Sequence, residues 1–152
     1  MGYTHYWRLK QMPKEIKNGA EMFKRAVKAT QDCIAQVPAQ LPTDDGKFVP
    51  FRLRGGNGKG EPNFNDELVC FNGDAETKHN YEACYLAIDN MGFDFCKTAR
   101  MPYDVAVCIT LICFKHYFGD YFEYSSDGDI KKGEEGWKLA KSITSIYFKE
   151  NE

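Results

Sequence analysis

The chain has 152 residues and a mass of 17.4 kDa, enough for one domain with one sizeable core. A formal net charge of −2, with 28% charged and 43% hydrophobic residues, is ordinary for a globular chain and excludes a broad basic coat for extended nucleic acid. Aromatic content is high at 14%, and its eleven Phe, nine Tyr and two Trp supply rings both for packing and for lining a site.

Residues 2–10 (GYTHYWRLK) alternate as a strand does, with Tyr3, His5, Trp7 and Leu9 on one face and Thr4, Tyr6 and Arg8 on the other. His5 reads either as a hydrogen-bonded histidine at a sheet edge or as a ligand-binding or catalytic group. His5, Arg8 and Lys10 precede any apolar run, so no secretory signal is expected. No run reaches the roughly 18 apolar residues that span a bilayer. Gly2 opens no myristoylation signal, because Tyr6 stands where Ser or Thr is required.

Pro13 is placed to open a helix. Ile16, Ala20, Phe23, Val27, Thr30, Ile34 and Val37 then recur at steps of four and three, which predicts one amphipathic helix of about six turns ending at Pro38. Lys14, Lys17, Lys24, Arg25 and Lys28 form its solvated face. Residues 38–62 are rich in turns, including Asp44-Asp45-Gly46 and the run RLRGGNGKG at 52–60. That run is not a Walker A loop, which needs a Gly four residues clear of Gly-Lys and a Ser or Thr after it. Leu53 and Gly60 stand in those places. It reads as a basic segment able to close over an anion through Arg52, Arg54 and Lys59, or as a flexible surface hairpin.

Residues 68–71 (LVCF) predict a short apolar strand ended by Asn72-Gly73, and residues 81–88 predict a second that pairs with it across a long loop. After Asn90 and Gly92, a basic lead-in with Lys97, Thr98 and Arg100 runs into Pro102-Tyr103-Asp104 and then into a helix apolar on nearly every side. Such a helix is buried all round, and at about 16 residues it spans roughly 24 Å. Gly119 and Asp120 stop it. A strand at 121–124, a turn at 125–129 and a last helix from about 133 to 149 follow, the helix carrying Trp137, Ala140, Ile143, Ile146 and Tyr147 on one side. The fold expected is a single α+β domain over residues 1–152, with an antiparallel or mixed sheet packed on helices and a central buried helix at about 102–118. The six cysteines lie within apolar or regular segments and form no Cys-x-x-Cys pair, so they read as free thiols in a reducing cytoplasm.

The best cluster for chemistry is Lys97, Thr98, Arg100, Tyr103 and Asp104. A helix N-terminus favours anions, Arg grips phosphate through two N–H groups, and Tyr103 has a ring to stack or a hydroxyl to donate. The alternative is a surface salt bridge with ordinary capping. Metal ligation is not expected: there are three histidines (His5, His79, His116), and Asp127-Gly128-Asp129 is turn sequence. No cofactor is implied.

Gly2-Tyr3-Thr4-His5-Tyr6-Trp7, Asp94-Phe95-Cys96-Lys97-Thr98-Ala99-Arg100 with Pro102-Tyr103-Asp104, and Ser126-Asp127-Gly128 together resemble a family of small uncharacterised bacterial and phage proteins. The resemblance implies a cytoplasmic protein, in the bacterial host if phage-encoded, and implies no reaction. It also suggests a grouping in which His5, Tyr6, Trp7, Lys97, Thr98, Arg100, Tyr103, Asp104 and Asp127 line one pocket. Aromatic rings with cations suit a base and its phosphate, so the leading expectation is binding, in a phage setting sequestration, of a small phosphorylated nucleotide. A small hydrolase or phosphodiesterase would use His5 or Asp104 as general base, Lys97 and Arg100 against developing charge, and Tyr103 as proton donor, though no catalytic signature is present. A protein–protein adaptor would instead expose its rings in a broad patch. The oligomeric state, a homo-oligomer included, is left open.

Overall fold

Strand alternation at the N-terminus and an all-apolar helix in the middle set the architecture. The computed structural model describes residues 3–43, 45–128, 130–133 and 136–151. Gly2 of the first strand, Asp44, Asp129 and residues 134–135 at the expected start of the last helix lie outside the described residues. In chain order the elements are β1 (Thr4–Leu9), α1 (Gly19–Ile34), β2 (Gln40–Pro42), β3 (Phe48–Pro50), β4 (Asn63–Asn65), β5 (Leu68–Phe71), β6 (Cys84–Ala87), β7 (Phe93–Lys97), α2 (Asp104–Phe118), β8 (Phe122–Ser126) and α3 (Trp137–Glu150). This is an α+β chain whose strand pairs are all antiparallel.

The sheet that contains β1 has the order β7-β1-β8. β1 is therefore its central strand, not the edge expected from sequence. Its alternation holds: Tyr3, His5, Trp7 and Leu9 are buried, and Thr4, Tyr6 and Arg8 face outward. His5 pairs with Cys96 on β7 and with Ser126 on β8. The expected hairpin forms between β5 and β6, from Leu68↔Ala87 to Phe71↔Cys84, with β4 on its other edge, and β2 pairs with β3.

α2 lies under the inner face of β7-β1-β8, and residues 104–111 are buried at every position. Phe114 packs edge-on to Phe23 of α1 at 5.3 Å and against Phe122 of β8 at 6.2 Å. All six cysteines are free thiols, and no helix among the described residues is long and apolar enough to cross a membrane.

The single long helix expected from Pro13 is corrected. Pro13–Glu15 makes one 3-10 turn, Ile16 is extended, and Asn18 turns left-handed at φ 62° before α1 begins. Gly19 takes this close turn because a Cβ there would stand 1.8 Å from the Pro13 carbonyl oxygen. The turn resets the phase, so Gly19, Phe23, Ala26, Val27, Thr30 and Cys33 face the core and Ala20 is exposed. The lysine- and arginine-bearing positions 14, 17, 24, 25 and 28 are exposed as expected. On α3, Trp137, Ala140 and Thr144 carry the buried stripe, whereas Ile146 is 57% exposed.

α3 starts directly against the first turn of α2. A Cβ on Gly136 would stand 2.7 Å from Val105 Cα and 2.9 Å from Asp104 Oδ2. The φ of −74° would suit any residue, so space alone demands glycine here. Gly136→Ala is expected to destabilise the fold by about 1–3 kcal/mol through overpacking, measured by urea unfolding.

Candidate functional site

Four stretches of chain converge on the carboxylate of Asp104. From β1, His5 Nε2 stands 2.6 Å from Asp104 Oδ1; from the turn after β7, the Thr98 hydroxyl donates to the same oxygen at 2.5 Å. The Gly136 amide at the start of α3 donates to Oδ2 at 3.1 Å, and the Cys108 thiol, one turn along α2, donates to Oδ2 at 3.6 Å. The other ring nitrogen of His5, Nδ1, lies 2.5 Å from Ser126 Oγ on β8. His5, Thr98 and Cys108 are 0% exposed and Asp104 is 4% exposed, while Ser126 is half-buried.

This geometry fixes protonation states. Burial works to raise the Asp104 carboxyl, but the hydrogen bond and charge of His5, with the Thr98 and Gly136 donors, outweigh it and hold the group below its ordinary value. An ionised carboxylate accepts at about four sites, and here four donors fill them. Because a carboxylate only accepts, His5 Nε2 carries a proton, and Nδ1 accepts from Ser126 when the ring is neutral or donates to it when the ring is charged. Burial pushes the Cys108 thiol well up, so it stays a protonated donor.

The same geometry bears on a metal. His5, Asp104 and Cys108 are the grouped donors among the described residues, their atoms within 4.8 Å of one another. Two donors ~2.0–2.1 Å from a tetrahedral zinc stand roughly 3.3 Å apart, whereas Nε2 and Oδ1 are 2.6 Å apart. The spacing fits a shared proton.

The nine residues expected in one pocket divide between two faces of the sheet. His5, Trp7, Thr98, Tyr103 and Asp104 lie on the inner side. The expectation that Trp7 and Tyr103 offer ring faces to a base is corrected, since they are 2% and 1% exposed. The Tyr103 hydroxyl donates to the Glu82 carbonyl at 2.6 Å, and burial pushes its ionisation far up. The helix N-terminus expected to take an external anion holds the Asp104 carboxylate instead. Arg100 sits in a left-handed turn with Ala99, at φ 61° and 51°, its guanidinium 5.0 Å from the Tyr3 ring centroid.

Tyr6, Lys97 and Asp127 belong to the outer side. The Tyr6 hydroxyl donates to Asp127 Oδ1 and the Thr4 amide to Oδ2, each at 3.1 Å, and Lys97 Nζ lies 5.4 Å from the Tyr81 ring centroid. An open groove beside them is lined by Tyr6, Arg8, Phe93, Glu123 and Ser125, with Trp7 and Tyr124 also contributing. Phe93 is 64% and Phe95 49% exposed on the edge strand β7. In the 52–60 loop, Arg54 and Arg52 reach the buried Asp74 at 3.4 and 3.8 Å, so both of these cations already have a carboxylate partner.

Cys108 and Gly136 were not singled out from sequence as site residues, and Ser126 entered only as part of the Ser126-Asp127-Gly128 motif. Cys108 is four residues from Asp104 on a helix, a spacing that puts both on one face. Ser126 carries no local signal, because only the β1–β8 register sets it opposite His5.

Asp104→Ala strips four donors of their acceptor and is expected to cost about 3–5 kcal/mol, measured by urea unfolding at neutral pH. The stability that Asp104 adds is fully present above the unfolded carboxyl value of ~3.9 and is lost as pH falls through the lower folded value. Asp104→Asn should therefore flatten the loss of stability below about pH 4, followed by urea titrations across the acid range.

No protein-family model, curated protein or solved structure matches the chain.

Proposed function

We propose that the protein binds a small phosphorylated nucleotide in the groove on the outer face of the β7-β1-β8 sheet. The observation that carries the reading is the exposure of Phe93 and Phe95 beside two cations, Arg8 and Lys97. Aromatic rings on an open sheet face accept a stacked base whatever its sequence identity. Arg8 is exposed and joins no ion pair among the described residues, which leaves its fork for a phosphate. Phe93, Phe95 and Lys97 follow one another along one face of β7, and the four residue steps from first to last cover roughly 13 Å, room for one base and its phosphate.

Acidic groups bound the site and keep it small. Glu123, paired with Lys10 at 3.1 Å, lines one side, and Asp127 lies at the other end beside Tyr6. A long polyanion would run across both. In the phage setting that the resemblance implies, binding without turnover amounts to sequestration of a nucleotide signal.

Thermal shift and calorimetry against a panel of linear and cyclic nucleotides test the reading, with mass spectrometry of the ligand recovered after denaturation. The expected result is a saturable shift with the ligand recovered unchanged. Phe95→Ala should lose about 1–3 kcal/mol of binding, roughly 5- to 150-fold, with Arg8→Ala weakening phosphorylated ligands more than nucleosides. Loss of a co-purifying protein in Phe95→Ala, with no response to any nucleotide, would overturn it in favour of an adaptor surface.

A further inference from the structure

The inner face carries chemistry that ligand binding on the outer face does not use. Ser126 Oγ, the His5 ring and the Asp104 carboxylate form one hydrogen-bonded line, with contacts of 2.5 and 2.6 Å. Nucleophile, base and orienting carboxylate are each within hydrogen-bond reach of the next. We propose that Ser126 is an activated nucleophile that cleaves small uncharged acyl esters, an activity independent of the nucleotide site.

The burial pattern sets the direction of the line. His5 is 0% exposed, so reactants reach its Nδ1 only from the side of Ser126, which is half-buried at the end of β8. Asp104, held ionised, fixes the Nε2–H tautomer and leaves the Nδ1 lone pair for the serine proton. Thr98 and Gly136 hold the carboxylate in place. They and Asp104 are positioning residues; Ser126 and His5 handle the reacting atoms.

The substrate class follows from charge. On the inner face the line from Ser126 through His5 ends on the ionised Asp104, so an anionic phosphoryl group at Ser126 would bring negative charge toward a buried carboxylate, whereas an uncharged ester enters without charge. In the first step the Ser126 hydroxyl proton passes to His5 Nδ1 as Oγ bonds to the acyl carbon. The ester C–O bond then breaks, and the departing alcohol takes the proton from Nδ1. Water adds to the acyl-serine in the same way, its proton passing through Nδ1 to Oγ, releasing the carboxylic acid and restoring Ser126.

Treating the full chain with a fluorophosphonate and mapping the adduct tests this directly, since the reagent bonds to an activated serine oxygen with loss of fluoride. The expected product is one adduct per chain on Ser126, with Ser142 and Ser145 of α3 unlabelled. Acetylation by p-nitrophenyl acetate should release a burst of one nitrophenolate per chain, absent in Ser126→Ala. That variant removes only a half-buried hydroxyl, and circular dichroism checks that it is folded. Asp104→Asn, checked for folding in the same way, should slow labelling by on the order of 10²–10⁴-fold and alter its pH profile. If the Asn variant does not fold, the Ser126 adduct and its loss in Ser126→Ala decide alone. No adduct, adducts spread evenly over the serines, or an unchanged labelling rate in folded Asp104→Asn would overturn the proposal. None of these outcomes depends on whether a nucleotide binds.

Discussion

A charge taken out of water organises one end of this fold. Moving a carboxylate into a protein interior costs several kcal/mol after relaxation, and Asp104 is 4% exposed. What offsets the cost is four donors, and each comes from a different stretch of chain: His5 from β1, Thr98 from the turn after β7, Cys108 from one turn along α2, and Gly136 from the start of α3. The carboxylate is satisfied only when all four have arrived. Two helix N-termini, those of α2 and α3, also meet there, so their partial positive charge falls on the same group. An apolar side chain of similar volume would fill the space at less cost. It would not specify which elements meet, or in what register.

The second constraint is the two-residue period of β1. His5, Tyr6 and Trp7 are neighbours in sequence and lie on alternate faces of a central strand, so they cannot line one cavity. The inner face holds the hydrogen-bonded line of Ser126, His5 and Asp104, sealed by Trp137, which packs edge-on to His5 at 5.5 Å and stacks on Tyr124 at the same distance. The outer face holds Tyr6, Arg8 and Phe93 along an open groove, with Phe95 and Lys97 further along β7. A proton-transfer geometry in the dry interior and an aromatic, cationic surface in water are separated by the thickness of one sheet. They meet at the end of β8, where Ser125 lines the groove and Ser126 contacts His5.

Some of this was legible in the residues and some was not, for identifiable reasons. β1 and α2 carry strong periods, one alternating and one apolar all round, and both formed where expected. β7 was missed because its pattern runs against the usual sense. In FDFCK the two phenylalanines face water and Cys96 faces the core, so no apolar face pointed inward. The helix from Pro13 was drawn too long because a proline start and a steady stripe outweighed Asn18-Gly19, the pair that turns the chain. In the site, His5, Thr98 and Asp104 were named, as parts of a pocket for an external anionic ligand and, for His5 or Asp104, as a general base. That the anion is Asp104 itself depends on donors up to 99 residues away, and the Ser126 contact spans 121 residues. Pairings of that length leave no trace in local sequence.

Stability and chemistry therefore rest on the same group. The donors that lower Asp104 keep it charged at neutral pH, and a carboxylate that is already ionised and fixed needs no reorganisation when the neighbouring ring gains a proton. In the proposed reaction the imidazolium of His5 would form 2.6 Å from a negative charge, in a site from which water is excluded and where that attraction is strongest. The desolvation that makes Asp104 costly to bury is then also what makes proton transfer from Ser126 favourable. A solvated carboxylate at the same distance would be cheaper for the fold and would stabilise the charged ring less. The placement of Asp104 at 4% exposure, with Ser126 as the half-open member of the line, resolves that conflict in favour of the chemistry.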